Sequence, residues 1–190
     1  MGNTVTLPAV PVFFATSQGQ TQRIAERFAA ALRRQGVESA AFDVGYLKHD
    51  TLDWAAVRGA LVGASIHIGK HQRVAHEFVT SNVRRLNAVP SLFYSVSLAA
   101  ASQDQAEVRK AQAIADAFPP AHGWHPRAVI SLAGRLAYSQ YSFIVRWMMK
   151  RIARKEGAPI DTTRDYEFTN WMRVEELARE FASTVKVHAA

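Results

Sequence analysis

"VPVFFATSQGQTQRIAERF" (Val10–Phe28) changes character twice. Val10–Ala15 is apolar throughout and ends abruptly at Thr16, the pattern of a short strand buried on both faces. From Thr21 the period becomes helical: Ile24, Phe28, Ala31 and Leu32 share one face, while Arg23, Glu26, Arg27 and Arg34 lie off it. Gly36 follows as a helix-ending residue. Between strand and helix stands TSQGQT (Thr16–Thr21), a run of small polar side chains with no charge.

The same alternation continues down the chain. Strands are expected at Val37–Val44, Gly59–Ser65, Pro90–Val96 and Arg127–Gly134. Helices are expected at His71–Leu86, at Gln103–Phe118 before Pro119 and Pro120, and at Trp171–Val187, with a short helical turn near Asp53–Val57. Five strands alternating with helices predict an α/β fold, a doubly wound parallel sheet of order 2-1-3-4-5 covered on both faces. The whole chain, 1–190, reads as a single domain, because 190 residues suffice for one well-buried core. Gly134–Asn170 does not fit the alternation and reads as an insertion within that domain.

Position gives TSQGQT its chemistry. In parallel α/β sheets ligands bind beyond the carboxyl ends of the strands. The first turn of a helix offers unpaired N–H groups and the positive end of a dipole. With the hydroxyls of Thr16, Ser17 and Thr21, and Gly19 for close backbone approach, the loop suits a phosphate held by neutral donors. The alternative is an ordinary strand-to-helix turn with a Thr cap. No G-x-G-x-x-G occurs, and GASIHIGKH (Gly63–His71) misses a P-loop by one residue of spacing and by His71 in place of Ser/Thr. A lysine-free loop points to a phosphate monoester such as that of flavin mononucleotide, FMN.

Cysteine is absent, which excludes disulfides and thiolate metal sites. His67, His71, His76 and Glu77 approach metal-ligand spacing only loosely, and no metal is expected. No Lys or Arg precedes Arg23, so no secretory leader is expected, and MGNTVT matches a myristoylation pattern too short to weigh. No stretch reads as a transmembrane helix. The net charge of +7 favours an anionic partner. Between Gly134 and Ala158 six basic residues (Arg135, Arg146, Lys150, Arg151, Arg154 and Lys155) stand against Glu156 alone, a net +5. As a helix from Tyr141, this segment places Tyr141, Ile144, Val145, Met148 and Ile152 on one stripe and Arg146, Lys150 and Arg154 opposite. With Trp147 present, 141–155 reads as a helix lying on an anionic membrane surface. Binding of acidic substrate groups and a packed helix with a solvated charged face are the competing readings. No nucleic-acid partner is expected, since no recognisable binding fold surrounds the aromatics.

TSQGQT resembles the flavodoxin phosphate loop, one residue shorter than its common form. GASIHIGKHQRVAHEFV (Gly63–Val79), LNAVPSLFYSVSLA (Leu86–Ala99), GRLAYSQYSFIVRWMMKRI (Gly134–Ile152) and DTTRDYEFTNW (Asp161–Trp171) follow in order. Together, over Val10–Phe181, the chain resembles the quinone-dependent protoporphyrinogen IX dehydrogenase family, a flavodoxin-like branch with a long insertion. The resemblance implies FMN as cofactor, protoporphyrinogen IX as substrate, a membrane quinone as acceptor, and a place in heme biosynthesis. It implies a cytoplasmic protein held peripherally on the inner face of the cell membrane. It places the FMN phosphate on Thr16, Ser17, Gln18, Gly19, Gln20 and Thr21. It puts Ser65, Ile66, His67, Ile68 and Gly69 on one side of the flavin and Ser95, Val96, Ser97, Leu98 and Ala99 on the other, with Gly134 and Arg135 completing the set. Neither flanking loop offers a Trp or Tyr to stack on the flavin. No acid or base is assigned, and a homo-oligomer is left open. The alternatives are a flavodoxin-type electron carrier, against which the basic charge counts, and an NAD(P)H-quinone reductase.

Overall fold

The computed structural model describes residues 4–47, 51–136 and 166–188. In chain order its elements are β1 (Val5–Thr6), β2 (Val10–Ala15), α1 (Gln20–Arg34), β3 (Ser39–Asp43), β4 (Leu52–Asp53), β5 (Ala60–His67), β6 (Lys70–His71) and α2 (Arg73–Asn87). Then follow β7 (Ser91–Ser97), α3 (Gln105–Ala117), β8 (Ala128–Ala133), β9 (Arg135–Leu136), β10 (Tyr166–Glu167) and α4 (Trp171–His188). The main sheet runs β3-β2-β5-β7-β8, and every pair along that path is parallel.

Alternation along the strands separates two cores. Val12 and Phe14 of β2, Leu61 of β5 and Tyr94 of β7 pack with Ile24, Phe28 and Leu32 of α1 and Val174, Leu177 and Phe181 of α4. Phe13, Val62 and Phe93 pack on the other face with Phe78 of α2, Phe118 and Trp124. The inner strands β2 and β7 are therefore buried on both sides, which is why β2 reads as a continuous apolar run, while the edge strands β3 and β8 are half-buried. The doubly wound α/β architecture follows from this burial.

α1 ends as its sequence predicts. Gly36, at φ +72°, lets its own N–H reach Arg33 O and lets Val37 N–H reach Leu32 O, closing the last turn.

Several boundaries differ from expectation. Lys70 and His71 do not open the helix; they form β6, which turns back on β5 with Ile66 opposite His71 and His67 opposite Lys70. α2 begins only at Arg73. The helical turn expected near Asp53–Val57 is instead a single non-helical turn after β4, held by Ala55 N–H on Asp53 Oδ1 and Val57 N–H on Trp54 O. Leu52 and Asp53 also pair in parallel with Val5 and Thr6, a contact with no periodic signature in so short a run. The ends of the insertion meet: β9 and β10 pair antiparallel, Leu136 against Tyr166 and Arg135 against Glu167. The basic helix expected at 141–155 lies outside the described residues.

Candidate functional site

The site lies at the carboxyl ends of β2, β5, β7 and β8. Thr16 folds the first loop by accepting the Gly19 N–H on its Oγ1 at 3.0 Å. Gly19 sits at φ +80°, a left-handed conformation with nothing within 4 Å of a would-be Cβ, and serves as the N-cap of α1. No side chain caps the helix, and its first turn holds no acidic residue. Thr21 in that turn is 1% exposed. Its Oγ1 is buried without a hydrogen-bond partner. A helix N-terminus with free N–H groups and an unpaired hydroxyl fits a bound phosphate and excludes the ordinary Thr-capped turn.

The other loop residues divide. Ser17 is exposed and Gln18 half-buried. The Gln20 side chain is committed elsewhere: its amide donates to Glu167 Oε1 and to Thr169 Oγ1, both at 2.8 Å, and Thr169 Oγ1 donates to Ala133 O. Arg23 pairs with Glu167 at 3.0 Å. The residues returning from the insertion are thus fastened to the first turn of α1.

Ser65 to Gly69 form the end of β5 and the tip of its hairpin. Ser65 and Ile66 are half-buried; His67, Ile68 and Gly69 are exposed. Ile68 (φ +50°) and Gly69 (φ +74°) make a two-residue turn with both residues left-handed. A β-branched residue is strained there, yet Ile68 also leaves its side chain 89% exposed. His67 and His71 fall on the two strands of this hairpin, not on one helical face.

The third stretch is more internal than expected. The Ser95 hydroxyl is fully buried, 2.9 Å from His71 Nε2. Val96 packs into the α1/α4 core. Ser97 accepts the Ala100 N–H on its hydroxyl and the Gly134 N–H on its carbonyl. Leu98 and Ala99 remain half-buried at the edge. At the end of β8, Gly134 is packed tightly: a Cβ there meets Val96 Cγ1 at 3.2 Å. Arg135 is half-buried in β9, opposite Glu167.

Two site residues carry no motif. His71 packs edge-on against Phe93 and Phe118 and joins β6 to β7 through Ser95. Burial, with His76 adding to it, pulls its imidazole down to about 4, so it is neutral at pH 7. Gln72 reaches Ser17 and Ser65 with one amide nitrogen, at 3.0 and 2.6 Å. Ser17 lies 55 positions away and Ser65 seven, across the hairpin, so no local pattern marks Gln72.

A doubly wound parallel sheet of this strand order, with an uncapped helix start after its central strand β2, is the arrangement of a flavodoxin-like domain. The flavodoxin domain family model matches residues 11–163. Solved flavodoxins share the fold: one from the domain Archaea superposes with a TM-score of 0.53 at 10% identity, covering 96% of this chain and 99% of its own. A short-chain flavodoxin associated with a bacterial microcompartment gives 0.56 at 12% identity, over 96% and 99%. The protoporphyrinogen IX dehydrogenase [quinone] of Escherichia coli K12 is 32% identical over 171 residues, 90% of this chain and 93% of the relative. The Leishmania major protein of the same name is 28% identical over 93% of this chain and 75% of its own. The chain belongs to this flavodoxin-like family of quinone-dependent protoporphyrinogen IX dehydrogenases, which are oxidoreductases.

Proposed function

We propose that the protein binds FMN and oxidises protoporphyrinogen IX to protoporphyrin IX, passing the electrons to a membrane quinone, in heme biosynthesis. The observation that carries the cofactor is the uncapped N-terminus of α1 with the unpaired Thr21 hydroxyl. The substrate and acceptor rest on the likeness to relatives of that name over nine-tenths of the chain.

In this reading the backbone of Ser17–Thr21 and the hydroxyls of Ser17 and Thr21 hold the phosphate. Gln20 contributes its N–H only, since its side chain holds Glu167 and Thr169. The Ser65–Gly69 hairpin and the Ser97–Ala99 turn flank the ring system, with Gly134 and Arg135 beside them. Bound flavin supplies the two-electron acceptor. The chain supplies position: it orients donor and acceptor and assigns no side chain as general acid or base. Ile68 at the hairpin tip is apolar but not aromatic, which leaves one flavin face open to a large flat substrate. An aromatic ring stacked over that face in a flavin-bound structure would overturn this point.

The reading takes the chain as one domain with 134–170 as an insertion. It takes the protein as cytoplasmic, with the basic stripe of 141–155 resting on the anionic inner face of the cell membrane. Among the described residues no helix is long and apolar enough to cross a membrane.

The test is anaerobic. Protoporphyrinogen IX is added to FMN-loaded protein, and porphyrin fluorescence is followed after adding a menaquinone analogue. Fluorescence that rises only with protein and quinone together is the expected result. No rise, combined with steady NADPH-quinone turnover, would show a reductase instead. Neither activity, with reversible flavin reduction, would show an electron carrier.

A further inference from the structure

Gln72 stands at the N-cap of α2, with φ −65° and ψ 146°, but caps nothing. Residues favoured at such positions turn a short side chain onto the helix. Gln72 turns away from it. Its Nε2 lies 3.0 Å from Ser17 Oγ in the first loop and 2.6 Å from Ser65 Oγ at the end of β5. Its Oε1 is buried without a partner.

The amide orientation decides what the two serines do. With nitrogen toward them, both N–H protons are used and one acceptor is left unpaired. With the amide reversed, two buried N–H protons are left unpaired instead, which costs more. The nitrogen therefore faces the serines, and both hydroxyls accept from it. A serine hydroxyl has one proton. Among the described residues neither Ser17 nor Ser65 gives that proton to another protein group.

We propose that Gln72 is a positioning residue that makes Ser17 a donor to the cofactor phosphate, with Ser65 anchoring the amide. This rests on the flavin reading above. Ser17 alone is an exposed rotor that donates or accepts with equal ease. With one lone pair taken by Gln72 Nε2, its O–H proton is left for another acceptor. Thr16 Oγ1 likewise accepts, from the Gly19 N–H, which leaves its own proton free, so Ser17 stands with Thr16 and Thr21 as the loop's hydroxyl donors. The hydrogen bond spans 55 positions of sequence and ties the phosphate loop to the β5–β6 hairpin.

The test compares two ligands differing only in the phosphate. Dissociation constants for FMN and riboflavin are measured by flavin fluorescence on the flavin-stripped full chain, for the parent protein, Gln72→Met, Ser17→Ala and the double variant. Gln72→Met and Ser17→Ala are each expected to weaken FMN about tenfold with riboflavin little changed, and the double variant to be no worse than Ser17→Ala. Gln72→Glu, which only accepts, is expected to lower the FMN-to-riboflavin preference further. It also covers the case in which Gln72→Met fails to fold. Equal weakening of both flavins would mean a merely structural role and overturn the proposal, as would full additivity with Ser17→Ala or an unchanged preference in Gln72→Glu. A parent protein that binds neither flavin would overturn the flavin reading itself, and this proposal with it.

Discussion

At the scale of single residues, Thr21 and His71 are each held in a state whose cost the fold bears. Thr21 hides a hydroxyl with no partner. Thr21→Val keeps the shape and removes the unpaired group. Its stability in urea is therefore expected to be unchanged or raised by up to about 1 kcal/mol, while FMN affinity falls about tenfold by titration. A hydroxyl that merely capped the helix would give the opposite sign for stability. His71 is neutral because burial lowers its imidazole to about 4. The unfolded chain binds that proton from its ordinary value near 6.5, so the unfolded state gains protons first as pH falls. Stability from this group is whole above about 6.5, declines toward 4 and is lost below it. The full decline is up to about 3 kcal/mol. His71→Gln, which keeps a hydrogen-bonding group for Ser95, is expected to flatten the pH dependence of urea unfolding between pH 7 and 4.5. The neutral polar composition of TSQGQT made the proposed phosphate loop legible in the sequence. The roles of Gln72 and His71 were not, because Ser17 and Ser95 lie 55 and 24 positions away.

Among elements, the center of the sheet depends on one close approach. Gly63 of β5 pairs with Tyr94 of β7, and a Cβ on Gly63 would lie 2.0 Å from Tyr94 Cζ. Tyr94 is wholly buried beside Phe28, with ring centroids 5.1 Å apart, and has no open space to move into. Gly63→Ala is expected to destabilise by about 3 kcal/mol in urea unfolding. Tyr94→Leu, which removes the ring, is expected to recover part of that, so the double variant loses less than the two single variants together. Long strands with apolar runs were readable from their pattern. The two-residue strands were not: β1, β4, β6, β9 and β10 are too short to show a period, and pairing with a neighbor alone defines them. That is why α2 starts two residues later than its periodicity predicts, with β6 in between.

For the whole molecule, the proposed membrane contact is an electrostatic claim, since most of the net charge of +7 falls between Gly134 and Ala158. Changing Arg146, Lys150 and Arg154 to Glu is expected to abolish pelleting with anionic vesicles while leaving flavin binding intact. Raised salt is expected to weaken pelleting of the parent chain. Pelleting unaffected by the substitutions would remove the membrane from the proposal.

Sequence alone determined the α/β class and the neutral polar loop between β2 and α1, because both rest on local patterns: a buried run, a helical period, and hydroxyl and amide side chains with no charge between them. It also carried the family resemblance. Tertiary structure alone decided which of those side chains stay free and which are tied up within the protein. Burial turned Ser95 onto His71, pairing turned Gln20 onto Glu167 and Thr169, and the hairpin brought Gln72 to Ser17. A hydrogen bond depends on distance in space, and a linear pattern does not contain that distance.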